Sequence, residues 1–275
     1  MDLAQLEATP SWEWPEEARD VIRTVLTDPA AGTEDRMQAA YLGGDINVVD
    51  DQMAGALMEI VGDGAAAEPL RAQAAIALGP ALELADMMGF DDAEDILIGE
   101  ACFEQVKSRL EALYREQGVP KEVRRRILEA SVRAPLDWHA DAVRQAYASG
   151  DDEWRLTAVF SMQYIEGFTD EIMASLTNPD PEIHFEAVIA AGNWQLEEAW
   201  DHVAALVRNE GTEKELRLAA IEAVAGIRPD QVDSVLNGLL DHGDPDIVDA
   251  AQEALSMAEA ILSDLAEDEP TPHDD

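Results

Sequence analysis

The side chains most suited to binding another molecule are three consecutive arginines, Arg124, Arg125 and Arg126. They lie in the one basic stretch of the chain, residues 107–133. Three adjacent positions on a helix point in three directions, so at least one arginine should face solvent. The planar guanidinium binds carboxylate or phosphate through two parallel hydrogen bonds, which predicts a dock for an acidic or phosphorylated ligand. Alternatively, these arginines neutralise the acidic segment 91–95.

A second candidate surface comes from residues at one repeated position of the chain. The position holds Tyr41, Phe160 and Ile189, and two later copies hold Glu222 and Glu253. A position that changes between apolar and acidic is typical of an exposed ridge, and exposed aromatic residues are common at binding hot spots. The ridge and the arginines together predict a partner-binding surface. The alternative is that these side chains pack between neighbouring helices.

No other group of residues suggests a reaction. The single cysteine, Cys102, lies among apolar residues, which favours packing in the core. The segment from Asp137 to Asp141 holds three potential metal ligands around His139, but a spacing of two and four residues does not bring all three to one helix face. Glycine-rich phosphate loops and nucleophile elbows are absent. We therefore predict a protein that is not an enzyme, with no catalytic residue, metal or cofactor.

The elements that position these residues follow from a short repeated pattern. An arginine, or its replacement, is followed three residues later by a mostly small residue inside a helical stretch. The first position recurs at Arg36, Arg71, Arg124, Arg155, His184, Arg217 and Val248. All but one of the intervals lie within 29 to 35 residues, and the exception is 53. Such a period is typical of a solenoid of repeated helix pairs.

Turn residues divide each repeat into two helices, and no segment alternates with the period of a strand. The sequence therefore predicts an all-α fold. We assign residues 1–14 to an N-terminal extension, 15–264 to the solenoid and 265–275 to a disordered acidic tail. Residues 80–101 are predicted to be an insertion, because they account for the long interval.

The charge of the chain excludes some partners. The formal net charge is −41, with only three lysines. Binding to nucleic acid or to an anionic membrane relies on Lys and Arg, so we predict neither partner. The acidic residues either form one surface for a basic partner or reflect adaptation to a cytoplasm of molar salt, where self-repulsion is screened. Their even distribution and the scarcity of lysine favour salt adaptation.

Three units of the sequence resemble HEAT repeats, of the short bacterial type also found in phycobilisome lyases. They begin at Asp180, Glu213 and Asp244. The resemblance implies an αα-superhelix of about seven helix pairs, with the second helices lining a concave face. It also implies a non-enzymatic scaffold that binds a protein or peptide there. A HEAT-type lyase or enzyme acting on a cofactor-bearing protein is the alternative.

The resemblance also implies a role for the repeated arginines. In HEAT repeats such a residue often pairs with an acid near the turn between the helices. It would form a structural ladder, here Arg36, Arg71, Arg155 and Arg217. The candidate acids are Asp28, Asp63, Asp151, Asp180 and Asp244.

Overall fold

The structure is a computed structural model that describes residues 2–90 and 96–267. The described residues form α-helices joined by turns and short 3-10 segments, with no β-strand among them. The helices are α1 (Leu3–Glu7), α2 (Ala18–Thr27), α3 (Thr33–Gly43), α4 (Asp51–Gly62), α5 (Glu68–Ile76), α6 (Gly79–Met88), α7 (Glu100–Arg115), α8 (Lys121–Ser131), α9 (Asp137–Tyr147), α10 (Asp152–Ser161), α11 (Thr169–Ser175), α12 (Pro181–Asn193), α13 (Trp200–Arg208), α14 (Lys214–Ile227), α15 (Asp233–Leu236) and α16 (Pro245–Glu267). The predicted all-α fold of HEAT-like helix pairs is confirmed.

The chain divides into two compact units, Met1–Gln145 and Ala146–Asp275. In the first unit the second helices of successive pairs, α3, α5 and α8, pack against one another. In the second unit α10, α12, α14 and α16 do the same. The residue three places after the repeated position is fully buried in all seven copies, at Ala39, Ala74, Ile127, Ala158, Ala187, Ala220 and Ala251. These residues mark the centre of the buried face of each second helix.

Three expected boundaries differ in the structure. The predicted N-terminal extension contains α1, whose Leu6 is buried, and the Trp14 indole Nε1 donates to the Leu6 carbonyl at 2.9 Å. Within the predicted insertion, α6 packs on α8 and buries Leu82. Residues 265–267 of the predicted tail continue α16. Apolar side chains such as Leu6 and Leu82 draw the first two segments into the core. Residues 91–95 and 268–275 lie outside the described residues.

The close packing of α12 on α14 depends on glycine. A Cβ built on Gly192 would lie 2.8 Å from the Cβ of Ala223, which is shorter than any real contact between such carbons. A Cβ on Gly226 would lie 2.8 Å from the Gly192 carbonyl oxygen. The two helices therefore approach backbone to backbone at this crossing, and neither glycine could carry a side chain without a shift.

Among the described residues, no helix is both long enough and apolar enough to cross a membrane.

Candidate functional site

The repeated arginines cap helices. In four repeats the arginine Nε donates to the carbonyl of the residue ten positions earlier, which lies at the end of the first helix of the pair. The bonds run from Arg36 to Leu26 (2.9 Å), Arg71 to Val61 (3.0 Å), Arg124 to Tyr114 (3.1 Å) and Arg217 to Val207 (2.9 Å). The last carbonyls of a helix have no partner within the helix, so each guanidinium satisfies one of them and ties the pair together.

The expected pairing of these arginines with acids is therefore corrected. Each of the five candidate aspartates accepts a backbone N–H a few residues further on in its own turn. The donors are Ala30 for Asp28, Ala65 for Asp63, Trp154 for Asp151, Ile183 for Asp180 and Asp246 for Asp244. Short acidic side chains satisfy such backbone groups locally, which leaves the carbonyl as the acceptor for arginine.

Three repeats depart from this pattern, and in the last of them Val248 has no side-chain donor. The Arg155 Nε is buried and has no hydrogen-bond partner among the described residues, and its guanidinium lies 5.7 Å from the Tyr147 ring. His184 replaces arginine in the next repeat, and its Nε2 lies 2.9 Å from the Nε2 of His202 on α13. The ladder predicted at Arg36, Arg71, Arg155 and Arg217 is thus bonded to carbonyls at three positions and not at Arg155.

Arg125 is not available to a partner, and its predicted binding role is wrong. Its side chain is 5% exposed, and its Nη1 lies 2.7 Å from the Glu122 carboxylate, while Glu129 lies 3.9 Å away. Both carboxylates lie on α8, so this guanidinium is paired within its own helix. The charge is already satisfied within α8.

The neighbouring arginines are also bonded. Arg126 contacts Glu122 at 2.9 Å and Glu129 at 2.7 Å, and its side chain is 38% exposed. Arg124 is held by the Tyr114 carbonyl. Ion pairs within α8 therefore take up much of the charge of this stretch. The acidic segment 91–95, which was the alternative partner, lies outside the described residues.

The predicted ridge residues lie in different places. Tyr41 is 62% exposed and lines a cavity of the first unit. Phe160 and Ile189 belong to the second unit, and both are half-buried. The Phe160 ring contacts the ring of Tyr164 at a centroid distance of 5.6 Å. Ile189 lines a groove of the second unit.

This groove, which we call the acidic groove, lies on α12, α14 and α16 and has a volume of about 660 Å³. Its larger apolar residues are Phe185, Ile189, Leu218 and Met257. Its acidic residues are Glu215, Glu222, Asp246, Asp249 and Glu253. Sequence reasoning found Ile189, Glu222 and Glu253 through their shared repeat position. It missed Phe185, Leu218 and Met257.

Most carboxylates of the acidic groove are not neutralised. Asp246 is bound by the Lys214 Nζ at 2.5 Å. The other four are exposed, and within the described part of the chain their side chains take part in no hydrogen bond or ion pair. No lysine or arginine lines the groove. The groove therefore presents negative charge around an apolar floor.

The candidate reactive side chains, His139 and Cys102, are in unreactive states. His139 is fully buried, accepts the Leu136 N–H at Nδ1 (2.8 Å) and donates from Nε2 to Ser131 (3.0 Å). Burial lowers its pKa to about 4, so the imidazole is neutral. Cys102 is half-buried, and burial together with Asp51 raises its pKa to about 11, which keeps the thiol protonated.

In residues 2–90 and 96–267 no cluster of three or more His, Cys, Asp or Glu side chains could hold a metal ion.

Comparison with known proteins gives one family match and several similar folds. Residues 169–256 match the family described as HEAT repeats. No curated protein sequence matches the chain. Among solved structures, human deoxyhypusine hydroxylase in complex with glycerol is 17% identical (94% of this chain and 88% of that one covered, TM-score 0.42). The Escherichia coli protein YibA is also 17% identical (95% and 89% covered, TM-score 0.47).

An archaeal HEAT-like repeat protein from Thermococcus onnurineus NA1 is 16% identical, with 89% of this chain and 98% of that one covered and a TM-score of 0.36. Similarity at these levels is limited to the arrangement of helices. The family match coincides with α11 to α16, the helix pairs that form the acidic groove. Residues 169–256 of the chain are thus recognised as HEAT repeats.

Proposed function

We propose that this protein is a non-enzymatic scaffold that binds a protein partner on the surface formed by its second helices. The observation that carries the proposal is the acidic groove, in which three successive second helices place apolar and charged side chains on one surface. Repeat proteins gather side chains from each repeat in this way, and a continuous surface of this kind suits a partner better than a small substrate.

The binding surface proposed here centres on Ile189 and its neighbours in the acidic groove. Half-buried apolar side chains such as Ile189 and Leu218 can lose their remaining contact with water when a partner covers them. Phe160, at the matching position of α10, is also half-buried and extends the same series of positions. Arg125 has no part in the proposal because it is buried and paired.

We also propose that the protein works in a cytoplasm adapted to high salt. The net charge of −41 and the presence of only three lysines support this setting. At molar salt the Debye length is about 3 Å, so repulsion among distant carboxylates is screened while groups in direct contact still interact. Binding through the groove would then depend on close contact more than on long-range attraction.

The test is site-specific photo-crosslinking in cells of the source organism. A photoreactive residue replaces Ile189 in the groove, and a matched one replaces Ala205, which is exposed on the first helix α13. We expect a discrete crosslinked protein from position 189 that is absent from position 205. The identified protein should then bind the purified chain with a fixed stoichiometry.

Equal crosslinking from both positions would contradict a binding surface on the second helices. The absence of any crosslinked protein at position 189, with the variant folded and expressed as the parent is, would contradict the scaffold function itself.

A further inference from the structure

The acidic groove combines an apolar floor with an acidic rim. Its floor holds four large apolar side chains, of which Met257 is 38% exposed, and small residues between them at Ala219, Ala250 and Ala254. Contiguous apolar surface of this kind often marks an interaction site, because leaving it in water is unfavourable. Alanines allow another backbone to approach closely, and methionine adapts its shape to what it contacts.

The rim distinguishes this groove from the cavities of the first unit. Those around Tyr114, Tyr41 and Cys102 each include an arginine, whereas no basic residue lines the groove. Elsewhere carboxylates such as Glu122 and Glu83 are paired with arginines. The four free carboxylates of the rim have no such partner within the described residues.

Charge excludes an occupant from the chain itself. Residues 268–275 contain four acids and no lysine or arginine, so they would add repulsion to the rim. A second copy, with 59 acidic residues against 18 lysines and arginines, would also bring mainly carboxylates into direct contact with the rim. A ligand that complements both the floor and the rim must be apolar in the middle and basic at its edges.

We propose that the acidic groove binds an amphipathic helix of a basic partner protein. Such a helix presents apolar residues at positions i, i+3 or i+4, and i+7, flanked by Lys and Arg. Its apolar stripe would lie on Phe185, Leu218 and Met257, while the flanking cations contact the rim carboxylates. Helices dock into apolar grooves in this manner in many complexes. The inference rests on the proposed function, since it names the partner class of the same surface.

The probe is a synthetic helical peptide of about 18 residues, which spans five turns. It carries a leucine stripe flanked by Lys and Arg and a fluorescent label. A control peptide has the same composition in a scrambled order that spreads leucine around the helix. Binding to the full chain is measured by fluorescence anisotropy, at the lowest KCl concentration at which melting curves show the chain fully folded.

Two matched charge reversals locate the site. Glu253→Lys changes the rim, and Glu198→Lys makes the same change at an exposed residue outside the groove. We expect Glu253→Lys to weaken binding of the stripe peptide roughly tenfold and Glu198→Lys less than about twofold, since distant charges are screened. Met257→Ser should weaken binding by a similar roughly tenfold factor through loss of the apolar contact. Melting temperatures verify that each variant is folded.

Several results would overturn the inference. Equal affinity for the scrambled peptide would show that binding depends on net charge and not on the apolar stripe. Equal effects of the two charge reversals would show that the peptide does not bind in the groove. If the stripe peptide does not bind, the inference is wrong. If position 189 still crosslinks to a partner in cells while the peptide fails, the scaffold function stands and only the proposed class of partner falls.

Discussion

His184 and His202 share a single hydrogen bond between their Nε2 atoms, which are 2.9 Å apart, and their ring planes are inclined at 63°. One imidazole must donate its N–H and the other must accept it, so the accepting ring is neutral. His184 occupies the repeat position that is arginine in most other repeats. The bond therefore links α12 to the following helix, α13. An arginine at this position would instead have reached the end of the preceding helix, α11.

This pair should make stability depend on pH. Burial lowers the pKa of both histidines below 6.5, and for His184 the charge of His202 lowers it further. Because the unfolded chain then binds protons at a higher pH than the folded one, the free energy of unfolding should decrease as pH falls through and below 6.5. The NMR titration of both rings checks the direction. A pKa of 6.5 or above for either would contradict it.

His139 should add a second acid-sensitive contribution. Its pKa is about 4 when folded and near 6.5 when unfolded, so the loss develops as pH falls from 6.5 toward 4. A difference of this size corresponds to about 3 kcal/mol when complete. Denaturant unfolding of the parent and of His139→Gln at several pH values isolates the effect, since carboxylate titration is common to both. Parallel pH profiles would show that His139 contributes nothing.

The arginine caps should stabilise the repeats. Arg217→Gln removes a buried donor and leaves the Val207 carbonyl without its partner, so we expect a loss of about 1.5–3 kcal/mol in unfolding free energy. Arg208→Gln removes the same charge from an exposed position and should cost less than about 1 kcal/mol. Urea denaturation of both variants measures the difference. Equal losses would assign the effect to net charge.

The helix crossing at Gly192 should tolerate no side chain. Gly192→Ala places a methyl group against Ala223, and we expect overpacking to cost about 1–3 kcal/mol. Gly55→Ala, in α4, meets no atom within 4 Å and should be neutral or stabilise by up to about 1 kcal/mol. Thermal melts of the two variants should therefore shift in opposite directions, or only the Gly192 variant should shift. A stable Gly192→Ala protein would show that the helices can separate at low cost.

Thermal stability should increase with salt. With a net charge of −41, repulsion among carboxylates destabilises the folded chain at low ionic strength, and molar KCl reduces its range to about 3 Å. The melting temperature should rise steeply from low salt to molar KCl. The same melting temperature at both ends would favour a localised acidic interface over general salt adaptation.

The repeats could be predicted because their signal is local. An arginine and a buried small residue three places later recur within one helix, and helical spacing alone places both. The pairing inside α8 was also visible, since Glu122 and Glu129 stand three or four residues from Arg125 and Arg126. Counting those pairs would have removed Arg125 from the binding surface.

The groove could be predicted only in part. Ile189, Glu222 and Glu253 occupy one repeat position, so the sequence aligned them. Phe185 and Met257 line the same groove from different helices, and their convergence depends on how closely α12, α14 and α16 pack. That distance is set by tertiary contacts such as Gly192 on Ala223, which no local pattern encodes.

Each arginine cap joins two residues that are ten positions apart in the sequence. From Val61 to Arg71, and from Tyr114 to Arg124, the turn has the same length, because one more residue would carry the guanidinium past its carbonyl. The interval of 53 residues runs from Arg71 to Arg124, and its extra residues lie between α5 and α7. Both ten-residue separations are therefore unchanged. In the four capped repeats, residues can therefore be added between helix pairs but not inside the turn of a pair.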